Sequence, residues 1–372
     1  MQGTQSQREM LPQSDPPPKQ SIFDKLQWTD ERAAGISIGF VAAVCVAIML
    51  LGTWLLQFEL ATPPPDDVGF FYEWKLAEPM FLARASIWLG FGLHQLLVWL
   101  TIWWALEKSP RKYTKTLKPV NYVALAINAV FIVLHYVQTA VFYDAIAQDI
   151  PSWTAQGAVI MMLFVILAFE NRRRGLFFGK KIKFKDRFYQ WIKEYHGYAF
   201  SFAVIYTFWF HPMVPTLGHI IGFIQVFLVL IQGSLMFTRL HLNRRWIVIL
   251  ELLVLPHAFF VALNQSNTLI YMFVYGFFTV FLVSQMHALN LKVWVKRLIY
   301  LGFVLTLFVV YFVQREPYML NEVIRIPVIL YGMVFFMYAA WWLIMRFIGL
   351  FDRFRIDQIG RASCRERVFP VV

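Results

Sequence analysis

Eight histidines fall within, or at the ends of, long apolar runs. An imidazole is costly in such places, and it can bind a metal, hold a haem or move a proton. The clearest pattern is a stripe of Asn128, His135, Gln138, Thr139 and Tyr143, which recur at helical spacing and end at Asp144. The segment HYVQTAVFYDAIAQD thus lays imidazole, amide, phenol and carboxylate along one path. That makes His135 the candidate catalytic base, with Tyr143 and Asp144 at the mouth of the path. Asn128, Gln138, His94 and His257 are the candidates for a shared polar cavity, the last two lying inside other apolar runs. The competing reading is that His135 and Gln138 hydrogen-bond neighbouring helices as structural glue.

Two further histidine patterns carry cofactor expectations. His196 and His211 share one run, separated by about 22 Å along a helix and about 60° around it, the spacing of two stacked b-type haems. A second helix with a matching pair is missing: His219 and His241 would lie about 33 Å apart. His211 and His219 could also meet Asp144 and Asp149 in a metal site. No HExxH motif supports that reading, and the two cysteines, Cys45 and Cys364, have no metal-type spacing.

The elements that must position these groups are transmembrane helices. Of 372 residues, 59% are hydrophobic and only 15% charged, against about 25% charged in soluble domains. Ten apolar runs of near-spanning length follow one another at about 34–58, 81–106, 120–143, 153–169, 191–210, 216–237, 246–263, 268–287, 298–313 and 323–347. The expected fold is all-α, a polytopic helical bundle of about ten spans. Every second loop is net basic, beginning with Lys108, Arg111, Lys112, Lys115 and Lys118, and no other loop is. That alternation places the N-terminus, and with ten spans both termini, in the cytoplasm, most simply of a bacterial cell inner membrane. The net charge of +12 is then positive-inside charge rather than a nucleic-acid surface.

The longest basic loop, RRRGLFFGKKIKFKDRFY, offers Arg172, Arg173, Arg174, Lys180 and Lys181 to anionic lipid headgroups. Residues 1–32 read as a disordered cytoplasmic tail, 33–350 as the membrane domain and 351–372 as a second tail. Within the last, IGRASCRERV resembles a translated sequencing adapter, so about 358–372 read as an artefact rather than native chain. Among charges near the spans, Arg84 and Arg325 can snorkel, Glu251 needs a basic partner, and Pro256 beside His257 is a kink site.

Three functional classes fit this pattern. A membrane-embedded enzyme acting on a lipid or lipid-linked substrate ranks first, because the polar groups are mostly His, Tyr and Asp. A secondary transporter would run its proton or solute path along the third span and the Gln225–Gln232 face of the sixth. A b-type haem electron carrier would use His196 and His211.

Overall fold

The computed structural model describes residues 26–63, 71–108, 112–265 and 269–365. Its helices are α1 (Asp30–Leu55), α2 (Phe81–Lys108), α3 (Pro119–Phe142), α4 (Trp153–Arg174), α5 (Asp186–Phe210), α6 (Leu217–Ser234), α7 (Arg244–Leu252), α8 (Val254–Gln265), α9 (Leu269–Val283), α10 (Val293–Phe308) and α11 (Glu322–Arg365). Among the described residues β-structure is limited to isolated bridges, so the fold is an all-α bundle. Among the described residues, nine segments are long and apolar enough to cross a membrane, with α7 and α8 joined as one of them. The expected tenth, α5, is not in that set. It spans 25 residues, but Lys193, Glu194, Tyr195, His196 and Tyr198 lower its hydropathy. It nevertheless packs between α2, α4 and α6 and runs from one end of the bundle to the other.

The loops sort onto two ends, as the charge alternation requires. At the basic end, Asp30 N donates to Lys115 O, Thr114 N to Phe237 O and Phe178 N to Val283 O, while Arg173 reaches Leu242 O at 2.7 Å. At the opposite end, Leu76 N donates to Gln148 Oε1 at 3.1 Å, and Tyr72 meets His211. Helix α1 begins four residues before the apolar run, because the Thr29 side chain accepts from Arg32 N and Asp30 and Glu31 occupy the first turn. Residues 30–32 are therefore helical rather than tail. The rest of the tail, 1–25, lies outside the described residues, as do Arg111 and 366–372.

Two local devices shape the interior of the bundle. Gly90 of α2 faces Trp209 of α5, whose ring lies 2.4 Å from where a Cβ would sit, so only glycine lets these helices approach. The span holding Pro256 breaks between α7 and α8, one turn before the proline, which has no N–H to offer the preceding turn. The kink expected beside His257 is thus a one-residue break at Leu253, whose backbone stays in the right-handed helical region.

Candidate functional site

The end of the bundle away from the basic loops holds a buried phenol between two imidazoles. Tyr72, in the loop between α1 and α2, places its hydroxyl 2.6 Å from His211 Nδ1 and 3.0 Å from His219 Nε2. His211 caps the C-terminus of α5, and His219 sits in the first turn of α6, where its Nδ1 lies 2.6 Å from Thr216 Oγ1. Trp74 closes over the His219 ring at 4.5 Å. Burial pushes the Tyr72 phenol well above its usual range, and Tyr143 adds to the shift.

This four-member chain supports two proton arrangements. In one, His211 Nδ1–H donates to Tyr72, whose hydroxyl donates to His219 Nε2, and His219 Nδ1–H donates to Thr216. In the other, every bond runs the opposite way. A one-proton step at each link, with one proton taken up at His211 Nε2 and one released from the Thr216 hydroxyl, converts one into the other, which is the behaviour of a relay.

His135 joins this group from α3. Its Nε2 lies 2.9 Å from the His211 carbonyl oxygen, which only accepts, so Nε2 carries the hydrogen and Nδ1 a lone pair. That Nδ1 is buried, with the Gln138 side chain one turn later and the Phe208 backbone as its neighbours. Thr139 accepts from Met213 N at 3.1 Å and fixes the chain beyond His211 against α3.

His94 and Asn128 have a different role. Trp209 Nε1 donates to His94 Nδ1 at 3.2 Å, and an indole N–H can only donate. His94 Nε2 must then donate to Asn128 Oδ1, at 2.9 Å. Asn128 Nδ2 donates to Ser234 Oγ at 2.8 Å, and Ser234 donates to the Leu230 carbonyl at 2.9 Å. Four helices, α2, α3, α5 and α6, are tied by bonds whose direction is fixed at both ends. The residues expected in one polar cavity therefore separate. His94 and Asn128 belong to this tie, Gln138 lies beside His135, and His257 donates from Nδ1 to Gly218 O at 3.1 Å with its ring against Gly222.

The acidic residues assigned to the mouth pair elsewhere. Asp144 takes Arg84 at 3.2 Å, Asp149 pairs with the same guanidinium, and Trp88 Nε1 donates to Asp149 at 2.7 Å. Arg84 is thus bound rather than snorkelling, and both carboxylates are held away from His211 and His219. Burial raises the Asp144 carboxyl, with the Ala145 N–H and Arg84 opposing it. Tyr143 is buried and stacks on Phe58. His196 sits at the basic end, where its Nδ1 faces the Lys193 carbonyl at 2.9 Å and its ring centroid lies 6.4 Å from that of His241. Among the described residues, no group of three or more His, Cys, Asp or Glu is placed to hold a metal ion.

Of the five basic residues assigned to headgroups, Lys180 and Lys181 are exposed. Arg172 pairs with Asp186 and lies over the Tyr189 ring, and Arg173 holds Glu170 at 2.9 Å. Arg174 is buried against Glu251 with both oxygens engaged, at 2.9 and 2.8 Å, so it faces inward and supplies the partner Glu251 requires. Tyr72 and Trp209, which the sequence did not single out, hold the two histidine groups together.

Burial sets an acid limit on folding. It holds His211 at about 3, with His257 and His135 adding repulsion, and holds His241 at about 4, with His196 adding to it. Once unfolded, each returns to about 6.5. Between about pH 6.5 and about pH 3 the unfolded chain therefore binds protons that the folded chain does not, and stability falls as pH falls through that window. Thermal unfolding in detergent is expected to show Tm dropping with pH there, with a shallower slope for His211→Asn. Equal slopes would count against a neutral buried His211.

Compared with protein-family models, with curated proteins and with solved structures, the chain matches none of them.

Proposed function

We propose that this multi-pass membrane protein is a membrane-embedded enzyme that performs acid–base chemistry on a lipid or lipid-linked substrate. The observation that carries the reading is the Tyr72 hydroxyl, held between His211 Nδ1 and His219 Nε2 at 2.6 and 3.0 Å. A buried phenol with a second proton acceptor behind it can take a proton from a substrate hydroxyl and pass it on. Neutral imidazoles on either side let it do so near neutral pH. The site lies at the ends of apolar helices, a position that suits a substrate anchored in the bilayer. His135 supports His211 through the latter's carbonyl. Tyr72, His211 and His219 take the leading place in this reading, while Asp144 and Tyr143 frame the site.

With the basic end taken as the cytoplasmic face, the site lies toward the opposite side. The exposed Lys180, Lys181, Lys183 and Lys185 then lie on anionic headgroups. Tyr72→Phe tests the reading, because it removes one oxygen and leaves the ring packing. Membranes containing the wild-type protein are expected to show a lipid species made or consumed in its presence. The variant should slow that conversion by about 10²–10⁴-fold at near-normal Tm. If wild-type and Tyr72→Phe membranes give the same lipid profile by mass spectrometry, the proposal fails.

A further inference from the structure

Two imidazoles at the basic end of the bundle have no part in the Tyr72 site. His196 lies on α5, and His241 lies in the turn that joins α6 to α7. Their ring centroids are 6.4 Å apart, with the planes inclined at 47°. Backbone carbonyls orient both rings. His196 Nδ1 meets Lys193 O at 2.9 Å and Ile192 O at 3.2 Å, and His241 Nδ1 meets Gln232 O at 2.8 Å. A carbonyl only accepts, so in each ring the hydrogen sits on Nδ1 and the lone pair on Nε2. Both side chains are half-buried, and among the described residues the sealed, unpaired polar atoms include neither Nε2. The rings are also held from behind. Phe169 stacks on His196 at 5.3 Å. Gln232 Nε2 donates to the His241 carbonyl at 3.0 Å, and Gln232 Oε1 accepts from Trp246 Nε1 at 2.8 Å.

We propose that His196 and His241 form a two-imidazole site for Cu(I), bound through Nε2 of each ring. The site stands apart from the enzyme reading, since it lies at the other end of the bundle. An Nδ1–H given to a carbonyl is the outer arrangement that fixes a ligating imidazole and makes its Nε2 a better donor. The spacing selects the coordination. With metal–nitrogen bonds of about 2.0 Å and about 1.2 Å from nitrogen to ring centre, opposed ligands put the rings about 6.4 Å apart and tetrahedral ligands about 5.2 Å. The observed separation is that of opposed ligands, an arrangement suited to copper in its monovalent state. Charge selects the same ion. Among the described residues no His, Cys, Asp or Glu joins the pair as a third ligand, and Lys193 is close enough to His196 to repel positive charge there. A monovalent ion meets less of that repulsion than Zn2+, and Mg2+ or Ca2+ would need oxygen donors. With the basic end taken as the cytoplasmic face, the pair faces a reducing compartment, which keeps copper as Cu(I).

The experiment reads metal binding rather than turnover. Purified protein in detergent, with ascorbate present and oxygen excluded, is titrated with Cu(I) in competition with bicinchoninate. One equivalent is expected to bind, and copper-edge X-ray absorption is expected to show nitrogen neighbours and no sulfur. His196→Asn and His241→Asn are each expected to lose that equivalent, while His211→Asn keeps it. In both variants the Asn amide replaces Nδ1–H as donor to the backbone carbonyl, and nothing replaces Nε2. Their Tm without copper should therefore stay near that of the wild type. Where a variant is unstable without copper, the wild-type absorption spectrum decides, since it needs no substitution. No bound equivalent, an equivalent retained in both variants, or sulfur neighbours from Cys45 or methionine would overturn the proposal. Zn2+ binding as tight as Cu(I) would overturn the choice of ion, and a Soret band lost in both variants would assign the pair to haem iron instead.

Discussion

Glu251→Gln is expected to destabilise the protein by about 3–5 kcal/mol, the usual cost of stranding a buried charge. The carboxylate meets Arg174 with both oxygens, and the two side chains are 2% and 1% exposed. Glu170 is close, but it is engaged by Arg173 and cannot take over. The amide keeps the shape and one acceptor while leaving the guanidinium uncompensated. Thermal unfolding in detergent checks this, and the informative control is the double change Arg174→Met with Glu251→Leu. An apolar pair of similar volume is expected to recover most of the loss, because neither charge is then left alone. A double variant as unstable as Glu251→Gln would mean that the pair contributes through something besides its charges.

Asn128→Leu is the second severe change. It leaves the His94 Nε2–H without an acceptor and Ser234 without a donor, two buried groups at about 1–3 kcal/mol each. The tie also predicts coupling. Once Asn128 is gone, Ser234→Ala should add little, whereas alone it should cost about 1 kcal/mol or more. Strictly additive losses in the double-mutant cycle would show that the two residues do not act in one chain. Neither change touches Tyr72, so a correctly assembled fraction should retain whatever activity that site has.

These two features also show what the sequence could reveal. Alternating loop charge groups together loops that meet in the structure, such as those of Lys115 with Asp30 and Thr114 with Phe237, because positive charge is counted loop by loop and needs no contacts. The fourth span was expected to stop at Phe169, before the first charge, yet α4 runs to Arg174. Glu170 and Arg174 stay helical because Arg173 and Glu251 neutralise them, and Glu251 is distant in sequence. The stripe on α3 was legible from its period, but its division into a structural tie and a site was not. That division depends on Trp209 and Ser234 for one part and on the His211 carbonyl for the other. Tyr72 was hidden for a different reason. It lies in the long loop between α1 and α2, near Glu73, Lys75 and Glu78, and nothing in the local pattern shows that it folds inward over His211 and His219.

The tie through His94 has a consequence for the route of protons. An indole N–H begins it, a carbonyl oxygen ends it, and a carboxamide sits in the middle. None of these three groups accepts and releases protons at ordinary pH. Along this tie, therefore, hydrogen bonds are continuous but proton current is not. Under the proposed enzyme reading, the proton exchange of the Tyr72 site runs by a route other than this tie.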